Sequence, residues 1–200
     1  MSTPVSWSAL KKGTDIAHHE TIAEYIDALK DNYTITYLYR LDLNTRGPHY
    51  EGDKKLFFHD PFIFHALRTW TSGEDPFPGT MNFLASPDNI GRLSENILCD
   101  HVVRLAFMLS SQKHTFDPAT SVLYWRSKKE REIDFIVRTN GQFLPIECKY
   151  QDEPQSEDMF AIAEFNSLVH RKFGLIASRD SLEERRNAVL IPLPLLLLLT

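Results

Sequence analysis

The stretch from Glu132 to Tyr150 constrains this chain more than any other. Glu132-Ile133-Asp134-Phe135-Ile136-Val137 and Pro145-Ile146-Glu147-Cys148-Lys149-Tyr150 are two β-type runs, and Asn140-Gly141 lies between them. Asn-Gly supplies the left-handed backbone that a tight hairpin turn requires. Strands are therefore expected over Glu132 to Arg138 and Gln142 to Tyr150. Residues two apart on a strand share a face. Ile146, Cys148 and Tyr150 then belong to the core face, and Glu147 and Lys149 to the other. On the neighbouring strand Asp134 alternates with Ile133, Phe135 and Val137, so the hairpin sets Asp134 beside Glu147.

Around this hairpin the periodicity changes several times. A helix is expected from Ile90 to Ser110, with Leu98, Val102, Leu105 and Leu109 as its apolar stripe. A strand at Ser121 to Arg126 precedes the hairpin. A helix from Ser156 to Lys172 follows it and leads through Gly174 into a strand at Leu175 to Ser178. The order is α-β-β-β-α-β, an α/β core with a mixed sheet, closed by the apolar run Val189 to Leu199. That run holds Pro192 and Pro194 and is shorter than the roughly 20 residues of a spanning helix. It is read as a final buried strand, with no membrane contact.

The first 70 residues read as a separate small module. Ser6 to Lys12 suggests a short helix. His19 to Asn32 suggests a longer one, with Ile22, Tyr25, Ile26 and Leu29 at helical spacing. Tyr33 to Leu43 and Lys55 to His59 are β-like. Two helices followed by a two-stranded ribbon give a winged-helix outline. Residues 71–88 collect Gly73, Pro76, Pro78, Gly79 and Pro87 and are read as a linker. The expected domains are a winged-helix-like module over 1–70, a linker over 71–88 and the α/β core over 89–200.

Composition limits the partners. The net charge is −5 over 200 residues, with 42% hydrophobic and 24% charged residues. This is globular usage without a global basic footprint for nucleic acid. Binding to nucleic acid must come from a local patch and from metal ions. Cys99 and Cys148 make no disulfide framework, and Met1 to Lys12 lacks the apolar core of a signal peptide, so a reducing, cytoplasmic setting is expected.

Asp134, Glu147 and Lys149 make the chemically loaded set. Carboxylates give hard oxygen ligands for Mg²⁺ or Mn²⁺. A metal held there activates water and stabilises charge developing on a phosphate. The lysine ammonium can orient the water or neutralise the phosphorane. Glu95 is a fourth candidate. It lies three, seven and ten residues before Leu98, Val102 and Leu105, on the buried side of its helix, where a carboxylate must be paired, protonated or metal-bound. The plain alternative for Glu147 and Lys149 is a solvated ion pair on one strand face.

In their order, Glu95, Asp134 and Glu147-Cys148-Lys149 resemble the PD-(D/E)xK nuclease superfamily, with Cys148 at the middle position of the motif. A longer resemblance covers nearly the whole chain. Thr21 to Leu29, Lys55 to Pro61, Gly91 to Asn96, Tyr124-Trp125-Arg126, Glu132 to Phe135 and Pro145 to Lys149 are similar to the C-terminal region of prokaryotic, especially archaeal, AAA-type ATPases. That region is long catalogued as a domain of unknown function. The resemblance implies a winged helix followed by a restriction-endonuclease-like fold. It further implies Glu95, Asp134, Glu147 and Lys149 as catalytic residues, with Asp134, Glu147 and Cys148 as metal ligands. The expected activity is a metal-dependent DNA endonuclease, with an ATPase domain as partner. The alternative is a catalytically inactive module that binds nucleic acid or protein for such an ATPase. No GxxxxGK(S/T) phosphate loop occurs in these residues, so ATP binding is not expected of them.

Other features weigh less. A winged helix would place its second helix in the major groove. Here Lys11, Lys12 and Lys30 face Asp15, Glu20, Glu24, Asp27 and Asp31, which favours protein docking or scaffolding over DNA reading. The eight histidines show no zinc-ligand spacing with the cysteines. The basic run Arg126, Lys128, Lys129 and Arg131 is either a solvated turn or a guide for a phosphate backbone approaching Asp134.

Overall fold

The structure is a computed structural model that describes residues 3–200. Met1 and Ser2, where the segment inspected for a signal sequence begins, lie outside the described residues. The chain divides into two compact units. One takes the residues up to Leu38 together with Glu51–Ile97, and the other takes Tyr39–Tyr50 and Leu98–Thr200.

In the first unit, α1 (Trp7–Lys11) is capped by Ser6, whose Oγ accepts from the Ala9 amide at 3.0 Å. After α2 (His19–Asp31) come the near halves of β1 (Ile35–Asp42) and β2 (Gly47–Phe58). Ile22, Ile35, Tyr37, Leu38 and Phe57 are buried, whereas Tyr25 and Leu29 of the expected apolar set on α2 are exposed. Residues 71–88, expected as a linker, are largely helical. They hold the end of α3 (Pro61–Ser72), the whole of α4 (Pro76–Leu84) and the start of α5 (Pro87–Leu109). The prolines start helices here. Asp60 and Asp75 are N-caps that accept from the Phe62 and Phe77 amides at 2.7 and 3.1 Å, with Pro61 and Pro76 directly after them. Proline suits that position because its missing N–H would have no helical partner. The division between the units falls within α5, between Ile97 and Leu98, and not in this stretch.

An eight-stranded mixed sheet runs in the order β2-β1-β3-β4-β5-β6-β8-β7. Its second-unit strands are β3 (Val122–Arg126), β4 (Glu132–Thr139), β5 (Gln142–Cys148), β6 (Gly174–Ser178), β7 (Glu183–Arg185) and β8 (Ala188–Pro192). They are joined by the far half of the β1–β2 ribbon, where Arg40 pairs in parallel with Tyr124. The α/β class and the mixed sheet are as expected. The β4–β5 hairpin also forms as expected. Asn140 and Gly141 take φ of 49° and 73°, and Thr139 opposes Gln142.

The sheet core includes Leu123, Trp125, Ile133, Ile136, Phe143 and Ile176. It packs with Ile162 and Phe165 of α7 (Phe160–Val169), which follows a 3-10 turn at Ser156–Met159. β5 and β6 approach closely at Gly174, where a Cβ would stand 2.8 Å from both the carbonyl oxygen and Cγ of Pro145. On α5 the buried stripe is Leu98, Cys99, Val102 and Ala106, while Leu109 is exposed. The helix turns Leu109 out of the stripe expected of it. The C-terminal apolar run is divided between strand and helix. β8 ends at Pro192, and α8 (Leu193–Leu198) begins with Pro194 in its first turn. Among the described residues no helix is long and apolar enough to cross a membrane.

Candidate active site

The β4–β5 ladder runs from Thr139 and Gln142 to Phe135 and Ile146. One residue further along each strand stand Asp134 and Glu147. There the carboxylates take up main-chain hydrogen bonds. The Asp134 amide donates to Glu147 Oε2 at 3.2 Å, and the Cys148 amide donates to Asp134 Oδ2 at 2.9 Å. Hydrogen bonds to a charged acceptor contribute about 1.5–3 kcal/mol each. Both side chains are buried, Asp134 at 9% and Glu147 at 5% exposure. Burial disfavours the charge on both carboxylates, and a neighbouring cation favours their ionised forms.

Lys149 supplies one. Its amide is anchored on β6 by donating to the Ala177 carbonyl at 2.8 Å. Its Nζ lies 3.1 Å from Glu147 Oε1 and 3.9 Å from Asp158 Oδ1. Burial acts to lower the lysine pKa. The charges of Glu147, Asp134 and Asp158 and the hydrogen bond to Glu147 outweigh it, and the net direction is up. Lys149 is therefore an ammonium at neutral pH.

Glu147, Lys149 and Asp158 line an open cleft of about 190 Å³, completed by Arg131, Glu132, Glu157, Phe160 and Ala161. Arg131 is held against α7, with Nη1 2.9 Å from Glu164 Oε2 and its guanidinium 5.5 Å from the Phe160 ring centre. Asp158 was not among the candidates from sequence. Its local signal was readable, since Gln155 and Asp158 form a capping box in which the Gln155 amide donates to Asp158 Oδ2 at 2.8 Å. Its approach to Lys149 is tertiary.

The second unit thus brings together Asp134, Glu147 and Lys149. Cys148 follows Glu147 on the strand, half-buried and in no disulfide. Strand alternation directs that thiol away from the Glu147 face. Glu95 belongs to the first unit. There its Oε1 lies 3.1 Å from Nζ of Lys55 on β2, both side chains being buried. Next to it the Asn96 amide group bridges the Phe58 N–H and C=O at 2.8 and 2.7 Å. Of the three states open to a buried carboxylate at position 95 (paired, protonated or metal-bound), the structure shows a pairing with Lys55. Among the described residues, no group of three or more His, Cys, Asp or Glu is arranged to hold a metal ion.

No curated protein and no solved structure matches the chain. A family model described as Domain of unknown function (DUF4143) matches residues 91–196, just over half of the 200 residues. The matched span runs from Gly91 on α5 to Leu196 on α8 and contains Glu95, Asp134, Glu147 and Lys149. On that match, the chain belongs to the DUF4143 family.

Proposed function

We propose that Asp134, Glu147 and Lys149 form a metal-dependent phosphodiesterase site that cleaves nucleic acid, DNA foremost. The observation that carries this reading is the pair of buried carboxylates just past the end of the β4–β5 ladder, with an ammonium beside them on an open cleft. The donor set suits Mg²⁺ or Mn²⁺. Mg²⁺ commonly takes only one or two carboxylates from a protein and fills its remaining positions with water and phosphate. Asp134 and Glu147 would hold the ion. Cys148 would contribute its main-chain carbonyl oxygen, since a thiol is too soft a donor for these ions. A bound ion of this kind supplies Lewis-acid stabilisation of the phosphate and an activated water. Lys149 donates from Nζ to the attacking water or to a phosphate oxygen. Arg131, on the rim and paired with Glu164, would offer guanidinium N–H donors where a phosphate enters. To Glu95 we assign the anchoring of α5 through Lys55, outside the reacting set.

A second reading has one observation in its favour. All three polar side chains already have partners within the chain, which also suits an inactive module that binds nucleic acid or protein beside an AAA-type ATPase. The test uses the intact chain with supercoiled, linear and single-stranded DNA and with RNA, in Mg²⁺ or Mn²⁺, alongside calorimetry with each ion. Asp134→Ala is expected to lose both metal binding and cleavage. Lys149→Ala should lose cleavage while keeping most of the metal affinity. An intact chain that binds no metal and cuts none of these substrates eliminates the nuclease reading and leaves the module reading.

A further inference from the structure

Beside the cleft, within the same unit, lies a larger groove of about 620 Å³ between the end of β1 and the turn from β3 to β4. Its cations are Arg40, Arg126, Lys128 and Lys129. Two acids also line it: Glu164 is paired with Arg131 at 2.9 Å, whereas Asp42, which accepts from the Asn44 amide at 2.8 Å, keeps its charge. Arg126 is itself paired with Glu130, which leaves Arg40, Lys128 and Lys129 against Asp42. The balance is positive, in a chain whose net charge is −5. The wall is apolar, with Leu43, Trp125 and Leu168 contributing, and Leu168 remains 53% exposed.

The turn that carries the cations is well braced. Ser127 Oγ accepts from the Lys129 and Arg131 amides at 3.1 and 3.2 Å, and the Ser127 amide donates to the Arg131 carbonyl at 2.8 Å. Glu130 is held in the left-handed region at φ 63°. Arg40 Nη2 donates to the Arg126 carbonyl at 2.8 Å, which fixes it on the groove side. The Arg126 guanidinium is ion-paired with Glu130, and its Nε lies 4.0 Å from Glu132 Oε2. Cations held ready beside an apolar wall suit a ligand that offers phosphates and unstacked bases together. A duplex hides its bases and would leave the wall unused.

We propose that this groove binds a segment of single-stranded nucleic acid, with phosphates on Lys128 and Lys129 and a base against Leu43 and Leu168. The inference rests on the phosphodiesterase reading for one point only: the strand passes along the turn to Arg131 and so reaches the Glu147–Lys149 cleft. Binding to the groove itself requires no metal.

The test is fluorescence anisotropy of the whole chain with labelled oligo-dT and oligo-U of about 12 nucleotides and a duplex of equal length, all in EDTA. The single strands should bind more tightly than the duplex, and comparing oligo-dT with oligo-U shows which sugar is preferred. Lys128→Glu with Lys129→Glu should weaken binding at least tenfold. It should also reduce the salt slope by about 1.4, that is about 0.7 for each of two lost phosphate contacts. Lys113→Glu with Lys172→Glu changes the net charge equally at exposed positions outside the groove and should have little effect. Leu168→Asn should weaken binding without altering the salt slope. A duplex preference, no binding at low salt, or equal losses from both lysine pairs overturns the proposal. Binding read in EDTA is independent of any metal at Asp134 and Glu147. Groove binding without cleavage would therefore sink the nuclease reading alone, and cleavage that is indifferent to Lys128 and Lys129 would sink the groove alone.

Discussion

Replacing Glu95 with alanine separates an anchoring role from a catalytic one. Lys55 has no exposed surface and Glu95 is 7% exposed, with Nζ 3.1 Å from Oε1. At that separation the attraction is about 5 kcal/mol for an effective dielectric constant of about 20. Deleting the carboxylate leaves an ammonium buried without this counter-charge, which costs about 3–5 kcal/mol. Whole domains are stable by only about 5–15 kcal/mol, so the loss is large. Urea titration followed by tryptophan fluorescence measures it, with Trp7 and Trp70 in the first unit and Trp125 in the second. Glu95→Ala and Lys55→Met should each move the first-unit transition to lower urea by similar amounts. Lys55→Met with Glu95→Leu should recover most of the loss, because replacing both members of a buried pair by apolar groups is often neutral. If Glu95→Ala unfolds at the unaltered midpoint yet loses metal binding or cleavage, the anchoring argument is wrong and Glu95 belongs to the reacting set.

Gly174→Ala should destabilise the chain by about 1–3 kcal/mol, as overpacking does, because its Cβ would meet Pro145 at 2.8 Å and Ile162 at 3.0 Å; an unchanged melting temperature refutes this. His65 titrates below the ordinary histidine range, chiefly because burial disfavours its cation and further because Arg68 repels it. The unfolded chain then binds that proton more readily, so this contribution to stability is present above about pH 6.5 and is lost on acidification. His65→Phe, which keeps a ring between Phe64 and Phe83, should flatten the fall in melting temperature below that pH, and an unaltered slope would count against it.

What could be read from the sequence was what local chemistry determines. Asn140-Gly141 and the alternating runs around it specify the hairpin, and with it the juxtaposition of Asp134 and Glu147. The helix holding Glu95 was equally plain from its periodicity. Residues 71–88 differ from the expected linker because proline and glycine mark helix starts and stops as well as loops. Asp75-Pro76 opens α4, and Gly73 closes α3 at φ 69°. The run Val189 to Leu199 is apolar throughout, so composition could not show where strand gives way to helix. Lys55, Asp158 and Arg40 escaped notice for a different reason. Each meets its partner across a long sequence interval or between separate elements, where no spacing rule applies.

The hairpin also bears on how the protein is made. Asp134 and Glu147 are 13 residues apart on strands joined by a tight turn, and hairpins close in about 1–10 μs. β6 and β8 instead add in parallel, after connections that include α7 and β7, and such long-range pairing is slower. Synthesis proceeds at about 5–20 residues per second, so β6 begins to emerge about 1–5 s after β5 is complete. During that interval β5 is an open edge, the kind of surface that invites pairing with another chain. Charged side chains on an edge strand oppose such pairing. Glu147, near the end of β5, places such a charge on the strand that stays open until β6 covers it.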